Sequence, residues 1–276
     1  MPRLLPLLAL LLPALAALAP ASGAPPAPRP VDFVTVQKGT LPVIVSAPHG
    51  GRKKLPDVPV RVGKGLANFH TVRDENTAEL TERFVEELGK LLKGKPWVVI
   101  ARFERKYLDA NRPPAEAYES EKAKPYYDAY HGALASACKA VKKEFGRGLL
   151  LDVHGNALHP DAICRGTQNL KTVTLLKERE GLAAIRGKKS VLGRMEDRGY
   201  TVIPAGGDDE KAKEAPAFAG GHIVQTYGSH TDFGIDAIQV EFGSKMRAKD
   251  QYGTTALEFA DAVRVFHDAY LKDGKK

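Results

Sequence analysis

At 276 residues with a formal net charge of +8, the chain is long enough to bury a sizeable core as one large domain. Its lysines and arginines are scattered, with no aromatic-basic interleaving, which favours a basic globular surface over nucleic-acid binding. Cys138 and Cys164 permit one disulfide but exclude a disulfide framework and a cysteine-based zinc cluster.

The chain opens with a positive residue, Arg3, and an apolar stretch from Leu4 to Leu18 interrupted by Pro6 and Pro13. Small residues follow, with cleavage sites after Ala21 or Ala24. This pattern predicts a secretory signal peptide over 1–24, and the stretch is short of the ~20 apolar residues of a spanning helix. A Pro/Ala linker over 25–30 and a single domain over 31–276 complete the expected organisation. The expected location is secreted or periplasmic, with no stable membrane insertion after cleavage.

Asp32–Val36 and Leu41–Ser46 are β-branched runs around Lys38-Gly39, which predicts a hairpin or two neighbouring strands. The aperiodic stretch from Gly50 to His70 predicts a long loop. Asp74–Leu92 carries Leu80, Phe84, Leu88 and Leu91 at helical spacing, and Asn76-x-x-Glu79 matches a capping box. WVVIA (Trp97–Ala101) and GLLLDV (Gly148–Val153) predict buried strands. Between them, Lys124–Phe145 predicts a helix, ended by Gly146. Tyr200–Ile203, His222–Thr226 and Ala237–Phe242 predict three more strands, and Thr254–Tyr270 a closing helix. Strands alternating with helices predict an α/β domain with a mostly parallel sheet.

In such sheets, sites form beyond the carboxyl ends of strands. Four strand ends here deliver polar residues: His49, the Arg105–Arg112 segment, His154 and Glu241. In LLLDVHGN, Asp152 and His154 alternate, so both can face one side; His154 suits a metal ligand or a hydrogen-bonded structural histidine. Asp74 and Glu75 open a helix, where carboxylates are favoured as caps. One of them beside His49 and His154 would give two histidines and one acid, a catalytic zinc set with an open position. In ARFERKYLDANRPP, Asn111 and Arg112 suit a carboxylate clamp or a solvated loop with surface ion pairs. Glu241 ends a buried strand and needs a partner or a role; a general base is one. The two glycines after His49 suggest a backbone bending away to leave a metal open to substrate. Of the other histidines, His131 and His267 suit half-buried helix positions, His159 a loop or reserve ligand, and His222 and His230 substrate contact around Tyr227.

PVIVSAPHGG, RDENTAEL, ARFERKYLDANRP, LLLDVHG, FAGGHIVQTYG and DAIQVEF follow one another along the chain. Together, from about Val43 to Phe242, they resemble the N-formylglutamate amidohydrolases. The resemblance implies a phosphorylase/hydrolase-like three-layer α/β/α sandwich around a mostly parallel mixed sheet, related to zinc carboxypeptidases and aspartoacylases. It implies that His49 and His154 bind Zn²⁺, with Asp74 the first choice of acidic ligand and Glu75 the second. Asn111 and Arg112 would hold a substrate carboxylate, with catalytic Arg105 nearby; Glu241 would be general base and acid, and Tyr227 would lie close to substrate. The wider carboxypeptidase group takes its acidic ligand from a His-x-x-Glu turn, where this chain has Arg52. The implied activity is amide hydrolysis of an N-acyl amino acid or another small-molecule or peptide substrate with a free carboxylate. A zinc carboxypeptidase or peptidoglycan amidase on the same fold, and a catalytically silent carboxylate-binding module, are the alternatives.

Overall fold

The computed structural model describes residues 28–206 and 212–272. The signal segment over 1–24 and the start of the linker lie outside the described residues. Among the described residues, no helix is long and apolar enough to cross a membrane.

The strands are β1 (Val34–Gln37), β2 (Val43–Ala47), β3 (Trp97–Ala101), β4 (Leu149–Asn156), β5 (Ala162–Gly166), β6 (Thr201–Ile203) and β7 (Asp236–Gly243). The helices are α1 (Thr77–Leu92), α2 (Pro114–Ala117), α3 (Lys124–Phe145), α4 (Thr174–Glu180), α5 (Ala183–Arg186), α6 (Val191–Asp197), α7 (His222–Tyr227) and α8 (Tyr252–Tyr270). The strands form one mixed sheet in the order β1-β3-β2-β4-β7-β5-β6. The central strands β3, β2, β4 and β7 run parallel, while β1 and β5 pair antiparallel with β3 and β7.

Strand alternation divides the core into two layers. Val43, Val45, Leu151 and Val240 pack on one face with Leu80, Phe84 and Leu88 of α1 and Phe259, Val263 and Phe266 of α8. Ile44, Leu150 and Ala237 pack on the other with Tyr130, Leu134 and Val141 of α3 and Ile223 of α7. Helices on both faces of a mixed sheet make the expected three-layer α/β/α sandwich.

Four local expectations are corrected. β1 and β2 are neither a hairpin nor neighbours, because β3 lies between them. The reason is burial: every residue of β2 is buried, which suits a central strand, whereas β1 alternates in exposure and takes the edge. The first long helix begins at Thr77 and not at Asp74, because Asn76 adopts a left-handed φ of 60° and makes no side-chain cap. Asn76 Nδ2 instead donates to Arg247 O at 2.8 Å. The segment from His222 is the helix α7, after Gly220 turns the chain at a φ of 112°; so short an apolar run has no decisive periodicity. Finally, β5 escaped the sequence reading, its Arg165 masking a buried strand by pairing with Glu214 at 3.1 Å. Cys138 and Cys164 are both free thiols, buried on α3 and β5.

The α1–α8 layer depends on Phe84, fully buried with its ring centroid 4.7 Å from that of Phe259. Phe84→Ala is expected to lower the unfolding free energy by about 3–5 kcal/mol. Chemical denaturation reads this directly; a loss under about 1 kcal/mol would show that the two helices do not close the core there.

Candidate metal centre

His49 leaves the end of β2, His154 lies in the last turn of pleat of β4, and Asp74 precedes α1. The parallel register sets Ser46 beside Asp152 and His154 beside Glu241, so one row of strand ends faces one site. Gly50 and Gly51 serve close packing. A Cβ on Gly50 would stand 2.5 Å from Ala78 N in α1, and one on Gly51 would stand 2.3 Å from Phe103 O. The first contact brings α1, and Asp74 before it, down onto the end of β2.

His49, Asp74 and His154 are buried, and one ligand atom from each lies within 4.8 Å of the others. His49 Nδ1 is 3.4 Å and His154 Nδ1 3.5 Å from the same oxygen, Asp74 Oδ2. Each Nε2 is fastened from behind: His49 to Asp109 Oδ1 and His154 to Asp152 Oδ2, both at 2.7 Å. Ser46 Oγ donates to the other oxygen of Asp152 at 2.6 Å. Asp109 also accepts from Arg105 Nε at 2.8 Å and from Asn111 N at 3.0 Å. With Nε2–H given to a carboxylate, each Nδ1 faces Asp74 and is the ring nitrogen left for a metal, which would displace the proton on His154. His49 Nδ1 is buried and has no hydrogen-bond partner. Two imidazole nitrogens and a carboxylate oxygen, oriented from behind by carboxylates, fit Zn²⁺ with an open position.

Charge at the site is strongly coupled. Burial opposes ionisation of Asp74, but His49 and His154 hold its carboxyl well below the usual range. Burial likewise opposes the His154 cation, yet Asp152, Asp74 and Glu241 hold that imidazole well above the usual range. Burial raises Glu241, with Asp74 adding to it against the pull of His154. Glu241 Oε1 is 4.0 Å from His154 Nδ1 and accepts from Gln239 Nε2 at 2.8 Å.

These groups floor a cleft of about 990 Å³ whose walls include Arg73, Arg105, Arg112, His222, Gln239 and Arg247. His49, Asp74, Arg105, Asn111, Arg112, His154 and Glu241 are therefore brought together. Two sequence candidates take other positions. The Glu75 side chain is 52% exposed and pairs with Arg73 and Arg52. Tyr227 is buried, with its hydroxyl 2.9 Å from His131 Nδ1. Asn111 borders the cleft, but its amide is engaged: Nδ2 donates to Gln239 Oε1 at 3.2 Å and Oδ1 accepts from Ile223 N at 2.8 Å. It aligns α7 and Gln239, leaving Arg112 as the cleft-facing half of the expected clamp. His222 lines the cleft, whereas His159 packs edge-on against Phe218 at 5.8 Å. Asp109 and Gln239 were not singled out as site residues; the Asp-x-Asn spacing and the Gln-x-Glu alternation were the available signals.

No family model matches the chain, and no curated protein matches it in sequence. Among solved structures, it is similar to N-formylglutamate amidohydrolase from Ralstonia eutropha JMP134, with a TM-score of 0.58 and 16% identity. That match covers 87% of this chain and 99% of the other. A gene product of Agrobacterium tumefaciens aligns with a TM-score of 0.54 and 15% identity, over 84% of this chain and 93% of its own. The amidohydrolase fold is thus shared.

Asp74→Ala is expected to abolish stoichiometric zinc binding, Glu75→Ala to leave it intact, and Asp109→Asn to weaken it by about 10–100-fold. Equilibrium dialysis with metal analysis separates the three; zinc retained by Asp74→Ala and lost by Glu75→Ala would reverse the assignment. A second prediction concerns His131, which fixes the loop after β3 by donating from Nε2 to Ala110 O at 2.9 Å. Burial lowers its pKa from 6.5 to about 4. The unfolded chain then binds a proton that the native state refuses. The contribution is present in full above 6.5 and is lost as pH falls from 6.5 to about 4, a change of about 3 kcal/mol. In His131→Gln, the unfolding free energy should fall by that much less than wild type between pH 7 and pH 4; parallel profiles would refute it.

Proposed function

We infer that this chain is a zinc-dependent amidohydrolase that cleaves an amide bond in an N-acyl amino acid or a related carboxylate-bearing substrate. It belongs, on this reading, with the N-formylglutamate amidohydrolases, and its N-terminal segment directs it out of the cytoplasm. The observation that carries the reading is the convergence of His49 Nδ1, Asp74 Oδ2 and His154 Nδ1 beside a buried carboxyl, Glu241, within one arginine-walled cleft.

Zinc held by those three atoms would supply a Lewis acid that polarises a carbonyl and brings the pKa of water toward ~7. The remaining chemistry belongs to the chain's own side chains. Arg112 anchors the substrate carboxylate at the cleft wall and so positions the scissile bond. Arg105, whose Nη1 lies 3.7 Å from Asp74 Oδ1, stabilises negative charge developing on the carbonyl oxygen. Glu241 takes a proton from the attacking water; the C–N bond breaks, and Glu241 returns the proton to the departing amine. Its raised pKa suits both halves of that transfer. Gln239 holds the Glu241 carboxyl in place through the 2.8 Å hydrogen bond to Oε1.

The cleft, at about 990 Å³, stands at the upper end of the range for small-molecule pockets, roughly 300–1,000 Å³. That size favours a substrate larger than a formylated amino acid, including a peptide or cell-wall fragment. The test is a screen of formyl-, acetyl- and peptidyl-amino acids and muropeptides with zinc-loaded protein. Turnover of none of them by fully loaded protein would overturn the reading.

Glu241→Gln is expected to lower kcat by about 10²–10⁴-fold while zinc content stays stoichiometric. Arg112→Met should raise KM for a carboxylate substrate and leave KM for the matching carboxamide unchanged. Equal effects on both substrates would remove Arg112 from carboxylate recognition.

A further inference from the structure

We propose that Arg247 is a positioning residue that sets the metal affinity of the site by clamping together the backbone beside its functional residues. The proposal rests on the zinc-hydrolase reading and concerns how this chain prepares that site.

Arg247 lies in the turn after β7 and is only 6% exposed. Its guanidinium donates to three main-chain carbonyls on three separate segments, β4, β7 and the turn before α1. Nη1 donates to Glu75 O, next to Asp74. Nη2 donates to Asn156 O at 3.2 Å, two residues beyond His154. Nε donates to Phe242 O at 2.9 Å, next to Glu241. Its own carbonyl accepts from Asn76 Nδ2 at 2.8 Å, closing the tie to the segment that carries Asp74. Asn156 Nδ2 in turn donates to Glu241 O at 3.0 Å, and Gly155 N donates to Asp74 Oδ2 at 3.0 Å.

The segment 74–76 belongs to no helix or strand, and its main chain meets the end of β2 through one bond, Asp74 N to His49 O at 3.1 Å. The register of β4 and β7 places His154 and Glu241, and Gly155 N ties β4 to the Asp74 side chain. One planar fork joins the main chain of all three segments at once, and arginine has donors spread widely enough for it. Space is reserved for the fork at Gly155, where a Cβ would stand 2.3 Å from Arg247 Cζ.

Two routes perturb the clamp. Arg247→Lys and Arg247→Met remove the fork, and Gly155→Ala keeps the arginine but displaces its guanidinium. Zinc Kd is measured by competition with a chromophoric chelator, alongside urea unfolding of the metal-free proteins and KM for the best acyl substrate. All three variants are expected to bind zinc at least about tenfold more weakly, with Arg247→Lys closest to wild type. Metal-free Gly155→Ala should unfold near the wild-type urea midpoint, separating the clamp from general stability. Zinc Kd within about twofold of wild type in the folded variants overturns the proposal. So does a rise in KM with unchanged zinc Kd, which would make Arg247 a substrate contact. If Arg247→Met does not fold, Arg247→Lys and Gly155→Ala decide. Wild-type protein that binds zinc without hydrolysing any acyl substrate sinks the amidohydrolase reading and leaves this test intact.

Discussion

The two imidazole nitrogens aimed at one oxygen of Asp74 are the constraint around which the site is arranged. With each Nε2–H committed to a buried carboxylate, each Nδ1 faces a third carboxylate, at 3.4 and 3.5 Å, and any ring that is neutral turns a lone pair toward it. Lone pairs that close repel unless a proton or a cation lies between them. A proton satisfies only one nitrogen at a time, whereas a divalent ion satisfies all three groups together. Asp109 and Asp152 make this arrangement obligatory, because they fix ring orientation and tautomer from behind. Their own charges are held in turn, by Arg105 and the Asn111 N–H for Asp109 and by Ser46 for Asp152. Buried charges are tolerable only when so compensated.

The candidate ligands were legible because strands in this fold deliver residues at their carboxyl ends. His49 follows VIVSA, and His154 follows a run of leucines two residues after Asp152; alternation alone placed Asp152 within reach of His154. Asp74 was legible only as one of two acids, and the fold separates them. Asp74 lies against the sheet, with its N–H donating to His49 O at 3.1 Å, whereas Glu75 points outward to Arg73. The left-handed turn at Asn76 makes that difference, and a side-chain pattern does not encode it.

Less legible was the division of labour in Asp109-Ala-Asn-Arg112. Its spacing suggested a carboxylate clamp at Asn111 and Arg112 or a solvated loop. Three-dimensionally, Asp109 holds His49 from behind, Asn111 joins α7 to Gln239, and Arg112 faces the cleft. Sequence shows that such residues are adjacent, not which way the turn directs each of them. The same limit explains why α7 was read as a strand and β5 was missed. Both are short, and both are decided by tertiary partners: β5 by pairing on β7 and β6, α7 by packing Ile223 and Val224 beneath the sheet. The elements α1, α3, α8, β3, β4 and β7 carry enough periodicity or unbroken apolar sequence to be read alone.

The long loop before α1 couples the wall of the cleft to the His49 end of the site. Asn68, His70, Val72 and Arg73 line the cleft, yet the base of this loop is held by a single buried arginine. Arg61 Nη2 donates to His70 O and to Arg105 O, each at 2.8 Å, and lies 4.0 Å from Asp109 Oδ2. Its guanidinium also stacks over Phe69 at 5.0 Å. Farther out, Glu119 accepts from the N–H groups of Val62 and Gly63 at 3.0 and 2.6 Å. The loop is thus anchored to Arg105 and Asp109, which themselves stand behind His49. On the proposed function, residues between these anchors can change to suit a different substrate while Asp109 keeps its geometry. Loss of Arg61 would instead release the loop and the histidine together. Cleft shape and the orientation of His49 are therefore separable at the exposed positions of the loop and coupled at its root.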